Sequence, residues 1–257
     1  MGKLVARFKQ LSRWSATPLG FRPSSSETQR PQMILLANVT ALTDDDVQTL
    51  SESKVDAVMI SGEPGVRKLT GLVKMLGDIP AGLYLNDDDP GAIDAAIKAG
   101  CDFAVLNPKS PSEMLKREGL SRIVEVERSF DQGMVRVIDE LPISIDAVFY
   151  GETSEDPAVS MEQLLFCQKI IESVNKPFVL AISAPLSPDQ INVLWQVGVD
   201  ALSVFTQDLD ALADIRKAID ALPKENHRKK KSGATPILPR APAAASELQD
   251  DEEEEYL

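Results

Sequence analysis

A single histidine, His227, and two cysteines, Cys101 and Cys167, are all that this sequence of 257 residues offers of those two types. The histidine stands in a polar C-terminal stretch, so the rest of the chain cannot supply a Ser-His-Asp triad, a Cys-His pair, an HExxH zinc site or a histidine general base. The cysteines are far apart, lack CxxC spacing and sit in apolar contexts, which reads as two buried reduced thiols. No apolar run approaches a membrane span, no h-region with a small-residue cleavage site opens the chain, and neither GxGxxG nor GxxxxGK[ST] occurs. Cytoplasmic residence is the expectation. Any catalysis must rest on carboxylates, lysine, tyrosine, hydroxyls, an oxygen-held metal or a bound cofactor of unknown kind.

Positive charge is also scarce, with 27 Lys and Arg against 40 Asp and Glu, and it is unevenly placed. Residues 1–30 hold six basic and one acidic residue, a net +5. Residues 31–222 hold 15 and 31, a net −16, and residues 223–257 hold six and eight, a net −2. A body this acidic repels phosphate backbones and does not by itself hold anionic lipid, so no nucleic-acid partner is expected and a membrane role is disfavoured.

The segment 1–31 reads as an amphipathic helix and a linker. Leu4, Val5, Phe8, Leu11 and Trp14 recur at helical spacing among Lys3, Arg7, Lys9 and Arg13. Such a helix suits a membrane surface, but it is short and has no second anchor, so docking under the main domain is the preferred reading. Exchange of the helix between copies would give a homodimer. The segment 223–257 turns from basic (Lys224 to Lys231) to Pro- and Ala-rich to strongly acidic (Glu247 to Glu255), a composition expected to be a disordered tail.

Between these ends, eight apolar runs alternate with helical patterns: Met33–Val39, Val55–Ile60, Ala81–Leu85, Phe103–Leu106, Ile123–Val126, Ala147–Tyr150, Phe178–Ile182 and Ala201–Phe205. Alternation of this kind implies parallel strands with helical crossovers. A weak repeat adds closure. Val55-Asp56-Ala57-Val58, Cys101-Asp102-Phe103-Ala104, Ile145-Asp146-Ala147-Val148 and Val199-Asp200-Ala201-Leu202 open the even-numbered strands, whereas Pro31, Pro80 and Pro177 precede odd ones. A two-strand unit repeated four times makes an α/β protein with a closed (β/α)8 barrel over residues 32–222; the alternative is an open doubly wound sheet. Residues 31–222 number 192, or 24 per unit, lean beside the roughly 250 typical of the fold.

The best-marked part of this region is Phe178-Val179-Leu180-Ala181-Ile182-Ser183, then Ser187-Pro188-Asp189-Gln190-Ile191, then Gly198-Val199-Asp200-Ala201-Leu202. It resembles the seventh and eighth units of the aldolase-type, phosphate-binding (β/α)8 superfamily. That resemblance implies glycines after strands seven and eight that grip phosphate with backbone amides. Here Ala184-Pro185 and Thr206-Gln207 stand in those places, so the phosphate grip is expected to be missing.

Strand parity selects the candidate site residues. Alternate barrel residues face the helices and must be apolar, so Val124 and Val126 point outward and Glu125 and Glu127 inward. The same rule turns Asn38, Tyr84, Asn86 and Ser183 inward, and Asn107 and Glu152 follow strand ends on the mouth side. Two carboxylates beneath a mouth raise at least one pKa or recruit a cation. Lys109, just past strand four, is the expected counter-charge, and Tyr84 the expected donor to Glu125. No regular ligand spacing supports a metal. Asp44–Asp46 and Asp87–Asp89 read as helix caps, and the loop 151–160 as the one candidate lid.

Two readings of function follow. In one, the barrel has lost its catalytic parts and is a scaffold, a reading favoured by the missing histidine, missing phosphate glycines and short loops. In the other it is a small lyase- or isomerase-like enzyme using Glu125 or Glu127 as base, Lys109 as electrophile or charge partner and Tyr84 as donor, with a small-molecule ligand at the mouth held by Asn38, Asn86, Asn107, Glu152 and Ser183.

Overall fold

A computed structural model describes residues 2–11, 31–62, 65–85, 90–151, 159–183, 185–206 and 208–223. Its strands are β1 (Ile34–Val39), β2 (Ala57–Ser61), β3 (Ala81–Leu85), β4 (Phe103–Leu106), β5 (Ser121–Glu125), β6 (Ala147–Tyr150), β7 (Phe178–Ser183) and β8 (Ala201–Phe205). They pair in parallel in chain order, and β8 pairs back with β1 to close the barrel. The open-sheet alternative is thereby excluded.

The helices are α1 (Lys3–Gln10), which precedes the barrel, then α2 (Asp44–Glu52), α3 (Val66–Leu76), α4 (Pro90–Ala99), α5 (Gln132–Glu140), α6 (Met161–Ser173), α7 (Pro188–Val197) and α8 (Ala211–Asp220). Each of the last seven follows a strand. After β4 the crossover is a single 3-10 segment, Ser112–Lys116, because Pro108 and Pro111 punctuate a connection too short for a full helix. The N-cap of α2 is Thr43 rather than an aspartate: Asp44–Asp46 form the first turn, and Thr43 and Asp46 make a capping box, with the Asp46 carboxylate accepting from the Thr43 amide at 2.7 Å; Asp87–Asp89 lie outside the described residues.

Parity sorts the strand residues into two cores. Leu35, Ala37, Val58, Leu83, Ala104, Val148, Leu180 and Leu202 pack outward against the helices. Ile34, Leu36, Ala57, Met59, Phe103, Val105, Ile123, Ala147, Phe149, Val179, Ala181 and Ala201 fill the barrel. Pairing advances by four residues in each half. Asn38 leads through Met59, Gly82 and Phe103 to Ser121, and Glu125 through Phe149, Val179 and Ala201 to Ile34. That is the shear of eight that lets four inward side chains from alternate strands share each layer. Crowding between adjacent layers sets local choices: a Cβ on Gly82 would lie 2.3 Å from the ring of its register partner Phe103.

The fourfold aspartate repeat sits at the lower, N-terminal end of the strands. The amides of Asp56, Asp102, Asp146 and Asp200 donate to the carbonyls of Leu35, Ala81, Arg122 and Phe178. Three of the four carboxylates then close the ring by accepting the amide of the same residue, Leu35, Arg122 or Phe178, at 2.9 Å. Each clamps the entry of an odd strand to the even strand that follows it.

Asp102 is the exception. Its two oxygens accept the amides of Lys3 and Leu4 at 2.6 and 2.8 Å, so the carboxylate caps the N-terminus of α1 from across the chain. Gly2 makes that approach feasible, since a Cβ there would fall 2.2 Å from Ser121 Oγ. Leu4, Phe8 and Leu11 then enter the barrel's inner core at 0, 2 and 1% exposure. Burial of each contributes about 1.5–3 kcal/mol. Arg7 lies 3.7 Å from Asp56. The apolar face of α1 is used within its own chain. Trp14 and the whole charged tail from residue 224 lie outside the described residues.

Candidate functional site

The upper end of the barrel carries the polar side chains. Register places Asn38, Tyr84, Glu125 and Ala181 in one layer, one each from β1, β3, β5 and β7. Beneath it lie Met59, Val105, Phe149 and Ser203 from the even strands. Above it Ser61, Asn107, Gly151 and Phe205 continue the even strands, and Glu127 and Ser183 the odd ones.

Tyr84 OH donates to Glu125 Oε2 at 2.8 Å, the pairing expected from parity. Glu125 is 7% exposed. Burial holds its carboxyl above the ordinary carboxylate range, the Tyr84 hydrogen bond opposes that rise, and the charge of Glu127 adds to it. Burial, followed by the bond and charge of Glu125 and then the charge of Glu127, pushes the Tyr84 phenol above its ordinary value. The Tyr84 ring packs against Phe149 with centroids 5.7 Å apart. Gly151 lets the chain pass close, since a Cβ there would lie 3.0 Å from Glu125 Oε1 and 2.7 Å from the Phe149 ring. On the facing strands Ser61 Oγ donates to Asn38 Oδ1 at 2.5 Å.

Glu127 is half-buried and accepts from Ser129 Oγ at 3.0 Å. Asn107 is half-buried, and its Oδ1 accepts the Lys109 amide at 2.9 Å, a local turn. Lys109 itself is exposed, and among the described residues it forms no ion pair with either glutamate. Ser183 is half-buried at the end of β7. Asn86 and Glu152 lie outside the described residues, as does most of the loop 151–160. Among the described residues no group of three or more His, Cys, Asp or Glu is placed to hold a metal ion, and no helix is long and apolar enough to cross a membrane. Ser61, Phe149, Gly151 and Ser203 were not singled out from the sequence, although the parity that found Tyr84 also turns Ser61, Phe149 and Ser203 inward.

Among the described residues, several amides at the starts of α7 and α8 already have partners, whereas Ala184 and Gln207 lie outside those residues. At α7, Ser187 Oγ accepts the Gln190 amide at 3.2 Å and the Gln190 side chain accepts the Ser187 amide at 2.8 Å. Before α8, the Asp208 amide donates to Thr206 Oγ1 at 3.0 Å and the Asp210 amide to Asp208 Oδ1 at 3.1 Å. Asp189, Asp208 and Asp210 add negative charge at these helix starts, where an anion would otherwise bind.

No protein-family model matches the chain, and no curated protein matches it in sequence. Solved structures match its fold. Thiamine phosphate pyrophosphorylase from Pyrococcus furiosus aligns at TM-score 0.56 and 18% identity, over 74% of this chain and 96% of that one. A mutant tryptophan synthase alpha-subunit from Pyrococcus furiosus aligns at 0.59 and 10%, over 75% and 98%. A 3-hexulose-6-phosphate synthase aligns at 0.56 and 17%, over 72% and 99%. At these identities the likeness is one of fold alone, a closed (β/α)8 barrel.

Proposed function

We propose that the barrel mouth is a proton-transfer site for a small unphosphorylated molecule, of the lyase or isomerase kind. The observation that carries this reading is the 2.8 Å bond from Tyr84 OH to Glu125 Oε2, at a buried carboxyl above an otherwise largely apolar barrel interior. A carboxyl whose pKa is held up exchanges its proton nearer to neutral pH than free glutamate does, which is what general acid–base catalysis requires. Glu125 carries the proton, Tyr84 orients it, and Glu127 keeps the pair electrostatically tuned. Asn38, Asn107 and Ser183 provide neutral polar groups for binding. The occupied amides and acidic side chains at α7 and α8 argue for a substrate without phosphate.

A second reading, a non-catalytic scaffold, draws support from Lys109. Its exposure leaves the two glutamates without a cationic partner or electrophile among the described residues.

A thermal-shift screen of the full chain against small unphosphorylated metabolites and divalent ions separates the two. The enzyme reading expects one compound to raise the melting temperature by about 5–10 °C at a hundredfold excess over its Kd, and Glu125→Gln to reduce that shift. No shift with any compound, or equal shifts in both proteins, favours the scaffold.

A further inference from the structure

Ser203 stands out among the side chains that point into the barrel. Its neighbours Leu202 and Val204 face the outer core and Ala201 the inner one, so the serine faces the axis. It is 0% exposed, and among the described residues its Oγ has no hydrogen-bond partner. The rest of its layer, Met59, Val105 and Phe149, is apolar. A hydroxyl held in such a layer without a partner is unfavourable, and alanine would serve packing better.

What lies directly above gives the hydroxyl a use. β8 is flanked by β7 and β1, so its neighbours in the next layer up are Ala181 and Asn38. Ala181 contributes only a methyl group, the smallest side chain of a layer otherwise made of Asn38, Tyr84 and Glu125. Asn38 is held by Ser61 and Glu125 by Tyr84, so both of these polar walls are oriented beforehand. Among the described residues, Ser203 Oγ is the fully buried side-chain polar atom of this region that has no hydrogen-bond partner, and it lies under the smallest wall.

We infer that Ser203 is the floor anchor of the mouth site: a ligand oxygen, seated beside Ala181 between Asn38 and Glu125, completes the hydrogen bond of Ser203 Oγ. This rests on the mouth being a ligand site, as proposed above, and it narrows the ligand class. The group above Ala181 is small and uncharged, a hydroxyl or carbonyl oxygen, since the nearby groups are a hydroxyl, a carboxamide and a carboxyl that burial biases towards its neutral form. A second oxygen within a few bonds then reaches Glu125. Unphosphorylated hydroxycarbonyl compounds of about three to five carbons meet both demands.

The test uses the full chain with dihydroxyacetone, glyceraldehyde and erythrose as probes, in thermal shift and in titration followed by amide NMR. Ser203→Ala is expected to melt no lower than the wild type without probe, yet to bind the best probe about tenfold more weakly, the loss of one hydrogen bond. Glu125→Gln is expected to weaken the same probe. If Ser203→Ala keeps full affinity while Glu125→Gln loses it, the serine is not an anchor and the inference falls while the mouth site stands. If no probe shifts the wild type, the assigned ligand class is overturned. If, in addition, the broader metabolite screen finds no ligand dependent on Glu125, the mouth reading falls as well.

Discussion

The two ends of this barrel use carboxylates in opposite ways. At the lower end Asp56, Asp102, Asp146 and Asp200 accept backbone amides, and α1 fills the interior. At the upper end, among the described residues, Glu125 accepts a hydrogen bond from the Tyr84 hydroxyl alone, and Ser203, in the layer beneath, has no partner. Even the cavity of about 360 Å³ beside α1, lined by Cys101, Asp102, Ser121 and Asp146 among others, follows the lower pattern. Its carboxylates are already bonded to amides, and burial, aided by Asp102, pushes the Cys101 thiol up to about 12, which leaves it unreactive. A carboxylate matched to backbone amides braces the fold. One matched only by a side chain keeps capacity for a ligand.

The comparison can be broken most forcefully at the lower end. Phe8→Ala removes a ring that is 2% exposed from the inner core, and a loss of about 3–5 kcal/mol is expected in urea unfolding. A loss below about 1 kcal/mol would show that α1 is not a plug.

Asp102→Ala is expected to cost less, about 1–2 kcal/mol, the usual value of a lost helix cap. The accompanying sign is faster hydrogen exchange at the Lys3 and Leu4 amides, with strands β6 to β8 unaffected. Unchanged exchange at those two amides would mean that the cap is incidental.

At the upper end the effect is smallest and depends on pH. Glu125 has a raised pKa when folded, so the native state holds a proton that the unfolded chain releases near pH 4.3. Its contribution is complete below that pH and is lost as pH rises through the folded value. Wild-type stability should therefore decline with pH across that window relative to Glu125→Gln, in which the group cannot ionise. Tyr84→Phe should move the Glu125 carboxyl further up, since the tyrosine bond opposes the rise; carboxyl-carbon NMR reads this directly. A downward move would contradict the arrangement.

Much of the candidate site was legible because parity is a local rule. Val124 and Val126 had to face the helices, so Glu125 had to face inward, and Leu83 and Leu85 did the same for Tyr84. The aspartate repeat was legible as periodicity, but not its purpose, since clamping odd-strand amides appears only once neighbouring strands are paired. Lys109 shows the limit of adjacency in sequence. It directly follows the Asn107-Pro108 turn, and its chain position beside strand five did not carry its side chain to the glutamates. The missing helix after β4 was signalled by Pro108 and Pro111, whose backbone restrictions act over one or two residues.

By itself the sequence determined the element order, the inward or outward direction of strand side chains, the amphipathic character of α1 and the absence of glycine at Ala184-Pro185 and Thr206-Gln207. All of these depend on residues within a few positions of one another. Only the tertiary structure decided which inward residues share a layer, because a shear of eight joins positions as distant as Asn38, Tyr84 and Glu125. It also decided that α1 enters its own barrel, through the bonds of Asp102 to amides 98 and 99 residues away. Periodicity can say which way a side chain points. Whether a buried polar atom finds a partner, as Glu125 does and Ser203 does not, depends on distances that exist only after the barrel has closed.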